Sequence, residues 1–95
     1  MPAYVIAEVN ITNPEGYKAY TALVPATIEQ YGGRFLVRGG KAQVLEGDWP
    51  EVRRVVIEFP SAEAARNWWD SPEYEEPKAL RRANSEGRLI LLDGV

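Results

Sequence analysis

The stretch Arg53-Arg54-Val55-Val56-Ile57-Glu58-Phe59-Pro60-Ser61 decides the fold of this chain. Val55, Ile57 and Phe59 alternate with Arg54, Val56 and Glu58, the two-residue period of a strand with one covered face. Pro60-Ser61 then opens a helix through Ala64, Ala65, Trp68 and Trp69, with Ser61 as its N-cap. The same order occurs nearer the N-terminus. Ile6-Ala7-Glu8-Val9 resembles Val56-Ile57-Glu58-Phe59, and it lies in a strand with Val5, Ala7, Val9 and Ile11 on one face and Tyr4, Ile6, Glu8 and Asn10 on the other. Asn13-Pro14-Glu15 follows as an N-cap, a first-turn proline and a carboxylate suited to the helix dipole.

Working outward, Tyr17, Tyr20, Val24, Ile28 and Tyr31 form a helical stripe that stops at Gly32-Gly33. Pro25 interrupts it, and at about 3 kcal/mol for an interior proline a kink or break is expected near Leu23 and Val24. Arg34 to Arg38 alternates again, with Phe35 and Val37 opposed to Arg34, Leu36 and Arg38, before Gly39-Gly40 bends or bulges the strand. Lys41 to Glu46 continues it, and Gly47-Asp48-Trp49-Pro50 turns it into a hairpin with Arg53 to Phe59. Ser71-Pro72 reads as a turn, Pro77 as the start of a last short helix through Leu80 and Ala83 ending near Gly87, and Arg88 to Asp93 as a closing strand.

Two βαβ halves predict an α+β fold, the ferredoxin-like βαββαβ order. It has a four-stranded antiparallel or mixed sheet and right-handed crossovers that place both helices on one face. In this reading the first and third strands run parallel at the centre, with Glu8 and Glu58 side by side. With 95 residues and 45% hydrophobic content the chain holds one core, so residues 1–95 are a single domain.

The helices cover the side of Val5, Ala7, Val9, Phe35, Val37, Val55 and Ile57, leaving Tyr4, Ile6, Leu36, Leu45, Val56, Ile90 and Leu92 pointing away. So apolar a face exceeds what a soluble monomer exposes, which predicts a homodimer through the open sheet face, with Trp49 packing at its edge. An RNA-binding platform is the rival use of such a face, but Arg54-Val55-Val56-Ile57-Glu58-Phe59 presents no aromatic there. Eleven Lys and Arg against fourteen Asp and Glu, a net charge of −3, likewise exclude a nucleic-acid partner.

The chain has no Cys and no His, which removes thiol nucleophiles, disulfides, zinc sites, axial haem ligation by imidazole and the usual general base. No metal or cofactor is therefore expected. With neither a signal-like segment nor an apolar run of about 18 residues, the reading is a cytoplasmic protein without a membrane partner.

Glu8, Asn10, Arg34, Arg38, Arg54 and Glu58 are polar positions on the face the dimer would bury, and burial of charge demands partners or a solvated cavity. One reading is a pocket between the sheet and the partner subunit, in which Glu8 or Glu58 is the base and Arg38 holds an anionic or enolate oxygen of a small-molecule ligand, with Asn10 and Arg34 in contact with it. The other is a set of interface salt bridges, Glu58 with Arg38 and Glu8 with Arg34 or Arg54. Tyr74 and Arg81, seven residues apart, share a helix face and cap the pocket mouth beside Trp69, or else Tyr74 and Trp69 are core and Arg81 is solvated. Glu73, Glu75 and Glu76 followed by Lys78, Arg81 and Arg82 form a solvated helix with charges ordered along its dipole.

Gly32-Gly33-Arg34-Phe35-Leu36-Val37-Arg38-Gly39-Gly40, Leu45-Glu46-Gly47-Asp48-Trp49, Val56-Ile57-Glu58-Phe59-Pro60-Ser61 and Ser71-Pro72-Glu73-Tyr74 together resemble the domain-of-unknown-function family 1330, over essentially the whole chain. The resemblance implies a dimeric α-β barrel, in which two ferredoxin-like sheets pack face to face, and no established activity. The wider superfamily includes haem-degrading oxygenases, cofactor-free quinone-forming monooxygenases and muconolactone isomerases. The haem-degrading version pairs Asn and Trp with an axial His; Asn10 and Trp68 or Trp69 are present and the His is not. Two functions stand: a cofactor-free enzyme acting on a small organic acid or aromatic compound by proton transfer or oxygenation, and a non-catalytic dimeric binding or accessory module.

Overall fold

A computed structural model describes all 95 residues as β1 (Ala3–Ile11), α1 (Pro14–Gln30), β2 (Arg34–Arg38), β3 (Arg53–Phe59), α2 (Ala62–Trp69), α3 (Pro72–Asn84) and β4 (Ser85–Asp93). The sheet order is β2-β3-β1-β4, with every neighbouring pair antiparallel. This corrects the expectation that β1 and β3 run parallel. The crossover through α1 returns β2 parallel to β1 but one place removed, and the reversal into β3 fills the gap between them. Glu8 lies opposite Arg54 and Glu58 opposite Tyr4. The two carboxylates share a face but stand four positions, roughly 13 Å, apart along the strands.

Both helices after β3 start on serine caps. Ser61 Oγ accepts from the Ala64 N–H at 3.0 Å. Ser71 Oγ accepts from the Tyr74 N–H at 3.1 Å, so α3 begins at Pro72 rather than at Pro77. α1 runs through Pro25 without a break because Tyr17, Tyr20, Val24 and Ile28 bury one stripe on both sides of it. At about 1.5–3 kcal/mol for each large apolar side chain, that burial outweighs an interior proline. Asn13 caps α1 by backbone geometry alone, its side chain donating instead to Asn84 Oδ1 at 3.0 Å.

β4 starts at Ser85, directly after α3. Gly87 is a strand residue there, paired with Val9 of β1, and a Cβ at that position would lie 2.8 Å from the Glu8 carbonyl oxygen. Residues 39–52 form no strand, against the expected continuation through Lys41 to Glu46. The reversal comes at Gly39, at φ +70°, whose N–H donates to the Arg54 carbonyl at 2.9 Å.

The core lies between the helices and one sheet face. Val5, Ala7, Val9, Val55, Ile57 and Phe59 pack against Tyr20, Ile28, Trp68 and Tyr74. Trp68 Nε1 donates to Thr27 Oγ1 at 3.1 Å, which satisfies the one polar group of the largest buried side chain. On the opposite face Tyr4, Ile6 and Val56 are half-buried, while Ile90 and Leu92 are 56% and 43% exposed. No helix is long and apolar enough to cross a membrane.

Candidate functional site

A bulge in β2 separates the predicted site residues. Arg34 pairs with Glu58 and Phe35 with Ile57, but Val37 then pairs with Val56 and Arg38 with Val55. The extra residue inverts the phase, so Val37 turns to the open face and Arg38 to the helix side, where its guanidinium lies 4.7 Å from the Phe35 ring. The expected Arg38–Glu58 pair is therefore not formed, and Val37 does not join the covered face.

The charges of the open face pair with one another, three arginines sharing two carboxylates. Glu58 accepts from Arg34 Nε at 2.8 Å and from the Tyr4 hydroxyl at 3.4 Å. Glu8 accepts from Arg88 Nε at 2.7 Å and from Arg54 Nε at 3.1 Å, and the hydrogen bonds from Arg88 and then Arg54 hold its carboxyl below the usual range. Arg54 also donates to the Pro50 carbonyl at 2.7 Å, and its guanidinium lies 5.5 Å from the Trp49 ring. Asn10 is exposed toward the end of β1. Glu8, Asn10, Arg34 and Glu58 thus occupy one face of the sheet, and Arg38, Trp69, Tyr74 and Arg81 the other.

The helix side holds the opposite arrangement. Arg53 is in phase with Val55, Ile57 and Phe59 and so points beneath α1. Arg81, on α3, is only 4% exposed. Neither its Nε nor that of Arg53 has a hydrogen-bond partner, and neither residue enters any of the chain's ion pairs. With Arg38, these two line a cavity of about 30 Å³ that also meets Tyr17, Tyr20, Phe35 and Trp68 and includes no carboxylate. Taking a guanidinium out of water costs several kcal/mol unless an anion or hydrogen bonds compensate. Arg81 bears that cost, since Arg53 is half-buried and Arg38 exposed; the cavity is electropositive because three guanidinium groups border it without a carboxylate, and its volume admits about one or two water-sized groups.

Two tyrosines complete it. Burial pushes the Tyr17 hydroxyl above the ordinary tyrosine range, with Arg53 pulling the other way, and burial beside Tyr74 pushes Tyr20 much further up. Both stay neutral hydrogen-bonding groups. The Tyr20 and Tyr74 hydroxyls lie 3.0 Å apart, and the Tyr74 ring packs 4.1 Å from Trp68, fully buried. Tyr74 is core in this arrangement; Trp69 is half-buried under the Lys78 ammonium, 4.1 Å from its ring centroid. No three Asp or Glu side chains gather as a metal set would require.

Sequence reasoning misses Arg53, Tyr17 and Tyr20. The signal for Arg53 is present, since a cation shares the inward phase of Val55, Ile57 and Phe59. The hydroxyls of Tyr17 and Tyr20 are hidden inside an apolar stripe that reads as packing.

The fold is similar to that of a protein of unknown function from Rhodopseudomonas palustris, 24% identical at a TM-score of 0.80, over 99% of this chain and 82% of that one. It is similar to a dimeric ferredoxin-like protein of unknown function from a Jannaschia species, 10% identical at 0.74, over 99% and 100% of the two chains. It is also similar to SnoaB, a cofactor-independent oxygenase from Streptomyces nogalater, 14% identical at 0.68, over 99% and 93%. No curated protein matches the chain. The model of one family, described as a domain of unknown function (DUF1330), matches residues 2–95, and the chain belongs to that family.

Proposed function

We propose that this chain binds a small organic acid, or an acidic enol or phenol, through Arg81 on its helix side and favours the ionised form. The observation that carries the reading is a guanidinium that is almost fully buried, has no partner at Nε, and faces a cavity shared with Arg38 and Arg53 but with no carboxylate. An oxyanion is the group that such a site lacks. Loss of a C–H or O–H proton to water leaves negative charge on the ligand oxygen beside Arg81. Return of the proton at another carbon is an isomerisation; addition of the carbanion to dioxygen, the oxidant, with a proton taken from water, gives a hydroperoxide whose O–O bond breaks with loss of water to leave a carbonyl, an oxygenation. The likeness to a cofactor-independent oxygenase supports that direction.

In this reading Arg38 belongs to the anion site, whereas Glu8 and Glu58, each held by arginine on the open face, serve a homodimer interface with Asn10 and Arg34. The apolar open face and the dimeric state of a similar protein support the homodimer. A second reading, a non-catalytic binding module, is favoured by the absence of carboxylate or imidazole among the cavity's lining groups.

Calorimetric titration with β-keto acids and hydroxyaromatic acids, paired with NMR detection of α-deuterium exchange, tests both. Wild type is expected to bind and exchange, and Arg81→Met to lose about 10²–10³-fold in each. Binding without exchange across the panel selects the binding module. Equal binding by wild type and Arg81→Met removes the site.

A further inference from the structure

The cavity beneath α1 is too small for more than the head of a ligand, yet Arg81 has a second side. It also lines a groove of about 590 Å³ between β4 and the α2–α3 pair, a volume typical of small-molecule sites. Trp69, Leu89 and Leu91 supply its apolar surface, and Arg66 and Arg82 stand along it from α2 and α3. None of its thirteen lining residues is acidic.

The cations are segregated although the chain carries a net charge of −3. Six of the eleven cationic side chains, Arg38, Arg53, Arg66, Arg81, Arg82 and Arg88, line the cavity or the groove. Arg88 is already held by Glu8. Arg66 and Arg82 enter no ion pair. A low-dielectric apolar wall under unpaired cations focuses the field on whatever lies along it.

We infer that the body of the ligand lies in this groove and that the ligand is a flat ring acid with two anionic groups, one on Arg81 and the second facing Arg66 and Arg82. The inference rests on the reading of Arg81 as the anion site and adds the class of compound. A ring of one or two cycles packs against Trp69 and Leu89, both half-buried, and its inner carboxylate or enolate oxygen meets the buried guanidinium. The outer charge stays at the groove rim, where exposed guanidinium groups contribute modestly and in a salt-dependent way.

The test is calorimetry at low ionic strength with benzoate and isophthalate as probes, on wild type, Arg66→Gln/Arg82→Gln, Arg81→Met and Leu91→Trp. Wild type is expected to prefer isophthalate by about three- to tenfold. The double variant, altered only at exposed positions, is expected to lose that preference, its isophthalate affinity falling to that for benzoate, and Leu91→Trp to bind neither probe while retaining its circular dichroism. Benzoate binding that depends on Arg81 but shows no isophthalate preference, or that survives Leu91→Trp, overturns the groove assignment and leaves the Arg81 reading standing. Should Leu91→Trp unfold, the double variant alone decides, since an unchanged preference there is equally fatal. Absence of binding to wild type at millimolar probe removes the Arg81 reading and this one with it.

Discussion

The two faces of the sheet treat the same residue type in opposite ways. On the open face Arg34, Arg54 and Arg88 all reach a carboxylate, within 2.5–3.1 Å. On the helix side Arg38, Arg53 and Arg81 reach none. β2 and β3 each supply one arginine to either face, and neighbours along the chain, Arg53 and Arg54, go to opposite fates. The difference shows that a charge count says little about purpose until each charge is placed. Cations that reach a carboxylate on an apolar face suit an interface, whereas cations against a cavity without one leave an anion still to be supplied.

The largest expected effect breaks the open side. Ile90→Glu places a charge in the middle of the apolar patch, and in a homodimer it does so twice, at about 1.5–3 kcal/mol of lost burial per copy before the cost of the buried charge. Sedimentation at micromolar concentration is expected to show dimer for wild type and protomer for the variant. A wild-type protomer at that dilution removes the interface and with it the role given to Glu8 and Glu58.

The next effect sharpens the covered side and has an unusual sign. Arg81→Met removes an unpaired buried cation, so the ligand-free protein is expected to gain about 1–3 kcal/mol in urea unfolding even as it loses ligand affinity. A loss of stability would mean that the guanidinium is already compensated within the chain, and the contrast between faces would fail.

The smallest effect is read from pH. The folded-state pKa of Glu8 is depressed from the usual 4.5 by Arg88 and then Arg54. Its contribution to stability is therefore fully present above the unfolded value and is lost as pH falls through the folded one. Wild type is expected to lose stability more steeply than Glu8→Gln when acidified below about pH 4.5, by urea midpoints at matched ionic strength. Parallel curves would show that the pair contributes nothing.

Much of the fold is legible in the order of residues. The alternation in Ala3–Ile11 and Arg53–Phe59 and the Ser61 cap each rest on local geometry, and each appears where the pattern places it. The start of α3 is harder to place because Ser71-Pro72 carries the same chemistry whether it makes a turn or caps a helix. The site is less legible. Alternation alone puts Arg38 on the wrong face, because the bulge between Phe35 and Val37 shifts phase without a glycine or proline at that point to announce it. Arg53 escapes notice because a charged residue at a strand end reads as solvated.

What the amino-acid order determined by itself was local periodicity: the strands Ala3–Ile11 and Arg53–Phe59 with the residues that share a face in each, the helices that follow them, and that imidazole and thiol chemistry are absent. Those properties depend on neighbours within a few residues. Strand direction, the pairing of Glu58 with Arg34 rather than Arg38, and the isolation of Arg81 from every carboxylate were decided only by tertiary structure. They depend on groups dozens of positions apart, brought together by a sheet register that one inserted residue in β2 can invert.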